Sequence, residues 1–310
     1  MKGSQTVVPE LRGPVFIGID GGATGTRLRL AAADGTVLGE GKAGPSSLTL
    51  PLADSLAAVT IALDGALKVA GLGRDILGQA IAVFGLAGAR NPERRTAFLA
   101  RLPAMRDVAV VGDGYAALIG AHAGRPGLVI AIGTGTVAHV LRPDGSSDQI
   151  GGWGFPIGDE GSGAWLGWRA LAEAIHVRDG RLTDPPGGTA LHRELLELCG
   201  GSDAAILAWL QDARSTKYAG LAPIVLRHAA AGDPAARAHL AAAADAIVAL
   251  ARAADPGATL PLCLTGGLAA PLLPYLPETL AGRARPPRGS AVDGALLIAR
   301  DRTPAERLEA

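Results

Sequence analysis

One pattern occurs twice in this chain, 110 residues apart, from Thr24 to Thr134. In the first copy, Val15-Phe16-Ile17-Gly18-Ile19-Asp20 reads as a short apolar strand. It is followed by Gly21-Gly22-Ala23-Thr24-Gly25, a second strand through Leu30, and Asp34-Gly35 turning into a third. In the second copy, Leu128-Val129-Ile130-Ala131-Ile132 precedes Gly133-Thr134-Gly135-Thr136, a strand to Leu141, Asp144-Gly145, and a third strand into Gly151-Gly152. Superposition pairs Thr24-Gly25-Thr26 with Thr134-Gly135-Thr136, Asp34-Gly35 with Asp144-Gly145, and Gly41 with Gly151. The identities fall at turns, where backbone geometry selects glycine, and Asp-Gly between two strand-like runs is a strong hairpin signal. Each copy is therefore expected to be a β-meander with a glycine-rich first turn, and the chain to contain two related α/β units.

The rest of the chain fills in these units. After the first meander the pattern predicts a helix over 54–70 with Asp54 as its N-cap, then strand 80–86, helix 91–102, strand 108–111 and helix 115–122. After Phe155 the reading is helical, over 162–177, 191–198, 203–210, 218–230 and 234–254. Strand 260–264 and a last helix over 291–300 follow. The length of 310 residues suits two domains of about 150 residues each. Aromatics are only 4% of residues, so the cores must be built from Ala, Leu and Val with close helix contacts.

Lys and Arg together number 29, as do Asp and Glu, so no net field draws the chain to nucleic acid or an anionic membrane. The expected partners are small molecules, with a homodimer admitted and no nucleic acid or membrane. Cys199 and Cys263 have no second ligand at metal-binding spacing and read as buried structural thiols. Residues 1–13 lack the apolar core of a signal peptide, and a cytoplasmic location is expected. The basic, Pro-rich run from Arg283 to Arg288 reads as a solvated loop, and the six histidines as structural or surface residues.

The glycine loops carry the chemistry. Gly21, Gly22 and Thr24, and in the second copy Gly133, Thr134 and Gly135, can bring backbone N–H groups and hydroxyls close to phosphates. Asp20, at a strand end, can hold a divalent metal. Gly133-Thr134-Gly135-Thr136-Val137-Ala138 fits the dinucleotide pattern, but a strand rather than a helix is expected next, which disfavours a nicotinamide enzyme. A P-loop is absent, because Gly41-Lys42 is followed by Ala43. Asp113, in Val111-Gly112-Asp113-Gly114, can cap a helix or act as a general base. Gly151-Gly152-Trp153-Gly154-Phe155-Pro156-Ile157-Gly158-Asp159-Glu160-Gly161-Ser162-Gly163 is too rich in glycine for a core segment and reads as a ligand loop, with service at the N-terminus of the following helix as the alternative for Asp159 and Glu160.

These segments, together with Leu264-Thr265-Gly266-Gly267, occur in the order found in the N-acetylglucosamine kinase and bacterial glucosamine kinase group, and the chain resembles that group from about Val15 to Arg300. The group lies in the BadF/BadG/BcrA/BcrD-type ATPase family of the actin-like ATPase and sugar kinase superfamily. The resemblance implies two ribonuclease-H-like domains with an interdomain cleft and a helical insertion in the second. Residues 1–123 with 291–310 would form the first and 124–290 the second, with the last helix returning to the first. It implies ATP and Mg²⁺ as cofactors and an amino sugar as substrate, with Asp113 taking the proton of the 6-hydroxyl and Asp20 helping to hold Mg²⁺. Thr24 and Thr134 would lie at the phosphates, and Ala219, Gly266 and Gly267 near the adenosine. Gly152, Trp153, Gly154 and Asp159 would lie on the sugar. Ser47 would also lie on the sugar, where the group usually has Asn, and would reach less far, which bears on sugar selectivity. The motifs also resemble activating ATPases of 2-hydroxyacyl-CoA dehydratases and benzoyl-CoA reductase, which share an iron–sulfur cluster through cysteines. Here Cys199 lies near an expected helix end and Cys263 within an expected strand, which does not suit that role. A catalytically silent sensor is disfavoured by the retention of Asp113.

Overall fold

The computed structural model describes residues 13–183 and 187–302, so all but one residue of the segment read above for a leader lies outside it. The chain divides into two compact units, Met1–Arg125 with Pro287–Ala310, and Pro126–Pro286.

Unit 1 is built on a five-stranded sheet of β1 (Val15–Gly21), β2 (Thr26–Ala31), β3 (Val37–Ala43), β4 (Ala80–Leu86) and β5 (Asp107–Gly112), in the order β3-β2-β1-β4-β5. The meander β1–β3 is antiparallel, and β4 and β5 add in parallel to β1. Val15, Ile17 and Ile19 have no exposed surface, as befits a central strand covered on both faces. Helix α1 (Leu52–Ala70) lays the stripe Ala58, Val59, Ala62, Leu63, Ala66 and Leu67 on the sheet at helical spacing. It begins at Leu52 rather than at 54. Pro51 occupies the cap position, and Asp54 lies in the first turn instead of capping it. Helix α2 (Pro92–Leu99) is capped by Asn91, whose side chain accepts from the Arg94 N–H.

Helix α3 (Asp113–His122) starts two residues before the expected point and packs against α12 (Ala291–Asp301), the last described helix. The two axes come close because Gly120 faces the Ser290 carbonyl and Gly294 faces the Ala116 carbonyl; a Cβ at either glycine would overlap backbone oxygen. An Arg29–Asp293 ion pair further ties α12 to β2.

Unit 2 repeats the plan with one strand fewer. Strands β6 (Gly127–Ile132), β7 (Thr136–Leu141) and β8 (Ser147–Gly151) form the meander, and β9 (Leu262–Thr265) joins β6 in parallel, giving the order β8-β7-β6-β9. The repeated sequence thus corresponds to repeated topology, β1–β3 and β6–β8. Between β8 and β9 the chain is helical: α4 (Gly163–Arg178), α5 (Ala190–Leu198), α6 (Asp203–Gln211), α7 (Ser215–Ala219), α8 (Ala222–Ala230) and α9 (Pro234–Ala254). The helix expected over 218–230 breaks at Gly220 and Leu221, because Pro223 has no N–H to offer the Ala219 carbonyl one turn back. The one-turn helices α10 (Ala269–Leu272) and α11 (Glu278–Ala281), and the 3₁₀ turn Arg74–Gln79, are too short to leave a periodic signal.

Among the described residues no helix is long and apolar enough to cross a membrane. The chain's dependence on glycine for the α3–α12 contact is testable. Gly294→Ala should lower the unfolding free energy by about 1–3 kcal/mol, read from denaturant midpoints, whereas Gly124→Ala, with no atom near the new methyl, tests only its left-handed backbone.

Candidate functional site

In unit 1 the predicted residues gather at the carboxyl ends of the parallel strands, where open α/β sheets bind ligands. Asp20 is the last but one residue of β1 and pairs in register with Gly85 of β4, which pairs with Val111 of β5. Asp113 follows β5 directly as the first residue of α3, the cap position belonging to Gly112. A Cβ at Gly85 would lie 2.8 Å from Ala116 Cβ and 3.8 Å from Asp113 Cα, so its absence lets α3 begin tight against the sheet. Burial raises the Asp20 pKa, and the Asp113 charge raises it further, opposed by Arg27. Burial also raises the Asp113 pKa, against the backbone N–H groups of Asp113 and Gly114, which favour its charged form.

The first glycine loop is closed by Gly22 N–H donating to Gly25 O at 3.1 Å, and its carbonyls are tied inward. Gly21 O accepts from Ala87 N–H and Gly22 O from Ser46 N–H. The Thr26 hydroxyl lies 2.7 Å from both Gly44 O and Ser46 Oγ. Thr24 is exposed, and no heavy atom lies within 4 Å of where a Gly22 Cβ would be, so the loop offers an open outer face. Ser47 is buried. Its Oγ lies 2.7 Å from Thr49 Oγ1 and accepts from the Thr49 N–H. The same hydroxyl donates to Ala87 O at 3.3 Å, so it ties its own loop to the segment after β4.

In unit 2, Gly133 N–H donates to Gly135 O, and the first two N–H groups of α4, from Gly163 and Ala164, donate to Gly133 O and Thr134 O at 2.8 and 3.2 Å. Thr134 remains exposed. Gly266 abuts the end of β6, with Leu268 N–H donating to Ile132 O, and no heavy atom lies near a Cβ built on Gly267. Ala219 closes α7 and lies against Gly163, while Gly167 lets the Tyr218 carbonyl pass where any side chain would collide. The loop and Ala219 therefore meet at the start of α4, while the 266–267 turn lies against the end of β6. Asp159, with φ +65°, accepts from Thr136 N–H at 3.2 Å, and Gly152 N–H donates to Thr136 O. Trp153 is 76% exposed between Gly152 and Gly154.

Sequence reasoning missed two features. The Gly163–Gly167 spacing on α4, a visible sign of close approach, seats α7. A run of rings, Phe155 against Tyr218 at 5.3 Å and Tyr218 against Trp209 at 5.5 Å, joins the 151–161 loop to α7 and carries no local signature.

His192 Nδ1 accepts from Thr189 N–H, so its Nε2 faces Glu173 as donor at 3.1 Å, with His239 across the same carboxylate. Both cysteines are free and buried, and burial raises their pKa values. Among the described residues no three His, Cys, Asp or Glu groups are placed to hold a metal.

The sequence profile of the BadF/BadG/BcrA/BcrD ATPase family matches residues 17–298. The chain belongs to that family. Among its relatives, the glucosamine kinase of Vibrio cholerae is 30% identical over 92% of this chain and 95% of its own length. The N-acetylmuramic acid/N-acetylglucosamine kinase of Clostridium acetobutylicum is 34% identical over 53% of this chain and 55% of its own. A solved Chromobacterium violaceum structure, provisionally designated an N-acetylglucosamine kinase, superimposes with a TM-score of 0.83 at 41% identity. It covers 93% of this chain and 99% of that one. The two-unit ribonuclease-H-like architecture is thus the one this BadF/BadG/BcrA/BcrD ATPase shares with a solved relative.

The raised pKa of Asp113 means that the fold prefers the neutral acid. The stability this gives is fully present below the unfolded-chain value and is lost as pH rises through the folded value. Asp113→Asn should therefore melt higher than the wild-type protein at pH 7, and the gap should close as pH falls to about 3, read by thermal unfolding across a pH series.

Proposed function

We propose that this protein is an ATP-dependent amino-sugar kinase that phosphorylates the 6-hydroxyl of glucosamine or N-acetylglucosamine. The observation that carries the reading is Asp113, a partly dehydrated carboxyl at a strand end beside Asp20, in a chain whose full-length relative is a glucosamine kinase. Asp113 takes the hydroxyl proton as the sugar oxygen bonds to the terminal phosphorus of ATP and ADP departs. A carboxylate whose affinity for protons is raised by its surroundings is better suited to that task than a fully solvated one.

Two carboxylates that repel each other in a dehydrated setting fit a divalent cation, and Asp20 is the residue that would hold it. Mg²⁺ is usually bound by one or two carboxylates together with substrate phosphates, which fits a site without a larger ligand cluster. When bound, Mg²⁺ neutralises phosphate charge. The exposed Thr24 and Thr134, with Gly21, Gly22, Gly133 and Gly135, would supply the donors around the phosphates, and Ala219, Gly266 and Gly267 the surface for the adenosine. Gly152, Trp153, Gly154 and Asp159 would contact the sugar. Ser47 would also serve the sugar, although its hydroxyl is already engaged within unit 1.

ADP release with ATP and Mg²⁺ should depend on an amino sugar in a panel of glucosamine, N-acetylglucosamine, N-acetylmannosamine, glucose and no sugar. Equal release without sugar would refute a kinase. Asp113→Asn should lower kcat by about a hundredfold or more while leaving sugar binding largely intact.

A further inference from the structure

Asp159 lies in the loop expected to face the sugar, yet its carboxylate is aimed at the other loop of unit 2. One oxygen accepts from the N–H of Thr136, the residue that ends the glycine turn and begins β7. The other lies where Gly135 would carry a side chain: a Cβ there would be 2.7 Å from Asp159 Oδ2. The carbonyl of the same Thr136 accepts from Gly152 N–H, so both backbone groups of one residue are held by the 152–159 segment. Asp159 holds this position with φ +65°, a conformation that costs a non-glycine residue energy and that Asp and Asn tolerate best. Among the described residues the buried Thr136 hydroxyl finds no hydrogen-bond partner, and the Asp159 carboxylate holds this turn residue through its backbone N–H.

We infer that Asp159 is a positioning residue for the second phosphate loop, setting the shape in which Gly133–Gly135 meets ATP. This rests on the kinase reading above and deepens it: a residue expected to serve the sugar also governs the affinity for nucleotide. A ligand that engages Asp159 from the sugar side acts on the phosphate loop through a single hydrogen bond.

The test is ATP-Mg binding without sugar, by calorimetry on the full chain. Asp159→Gly tolerates the backbone conformation and removes the acceptor; Asp159→Asn keeps an acceptor oxygen. Asp159→Gly should weaken ATP-Mg binding about fivefold or more, with Asp159→Asn within about twofold of wild type. Gly135→Ala should weaken binding similarly by displacing the carboxylate. Because its clash disappears with the side chain, the double variant should be no weaker than Asp159→Gly alone. Near wild-type ATP affinity in Asp159→Gly, an equal loss in Asp159→Asn, or additive losses in the double variant would each overturn the inference. Failure of the wild-type protein to bind ATP-Mg would instead overturn the kinase reading. Circular dichroism of each variant separates these outcomes from misfolding.

Discussion

Two carboxylates kept close together and partly out of water set the terms for unit 1. Asp20 and Asp113 stand at the ends of β1 and β5 with β4 between them, and Gly85 of β4, in register with Asp20, lets α3 begin close to the sheet. Their repulsion and dehydration act against folding, and the surrounding structure offsets that. β1 is buried on both faces, α1 covers one side of the sheet with an aliphatic stripe, and α3 and α12 cover the other in backbone contact. Strain of this kind at a strand end, supported by a rigid apolar frame, is what a site that must take protons or cations requires.

The two copies of the hairpin have diverged in how they are braced. In the first, the Thr26 hydroxyl meets Gly44 O and Ser46 Oγ, and the loop carbonyls are tied to Ser46 and Ala87. In the second, the equivalent Thr136 leaves its hydroxyl without a bond and is held through its backbone by Asp159 and Gly152. The paired glycines likewise serve different ends. Gly41 makes room for the Ala62 carbonyl of α1, whereas Gly151 supplies a left-handed turn at φ +73°. A shared sequence at the turns thus preserves the path of the chain while the contacts around it have been rewritten.

The strands and the two meanders were legible in the sequence because they rest on local signals: apolar runs of strand length, Asp-Gly turns and glycine loops. The long helices α1, α4 and α9 were legible for the same reason. What was not legible has two sources, competing local signals and non-local contact. The start of α1 at Leu52 and the break before Pro223 follow from local chemistry that competes with a strong apolar pattern. The inward turn of Ser47 and the reach of Asp159 to Thr136 follow from where the 44–49 and 151–161 loops are carried by the fold. Sequence could nominate Asp159 as functional but not say which loop it touches.

The return of α12 to unit 1 has a consequence for how the chain is made. Unit 2 is a single continuous stretch, Pro126–Pro286, whereas unit 1 needs Pro287–Ala310 as well as Met1–Arg125. Synthesis from the N-terminus delivers β1 first, yet the helix that covers β1 at Gly18, through Val292 and Leu296, emerges only after the whole of unit 2. The half made second is therefore the first whose contacts can all form, and the half made first must wait on the ribosome with one face of its central strand uncovered.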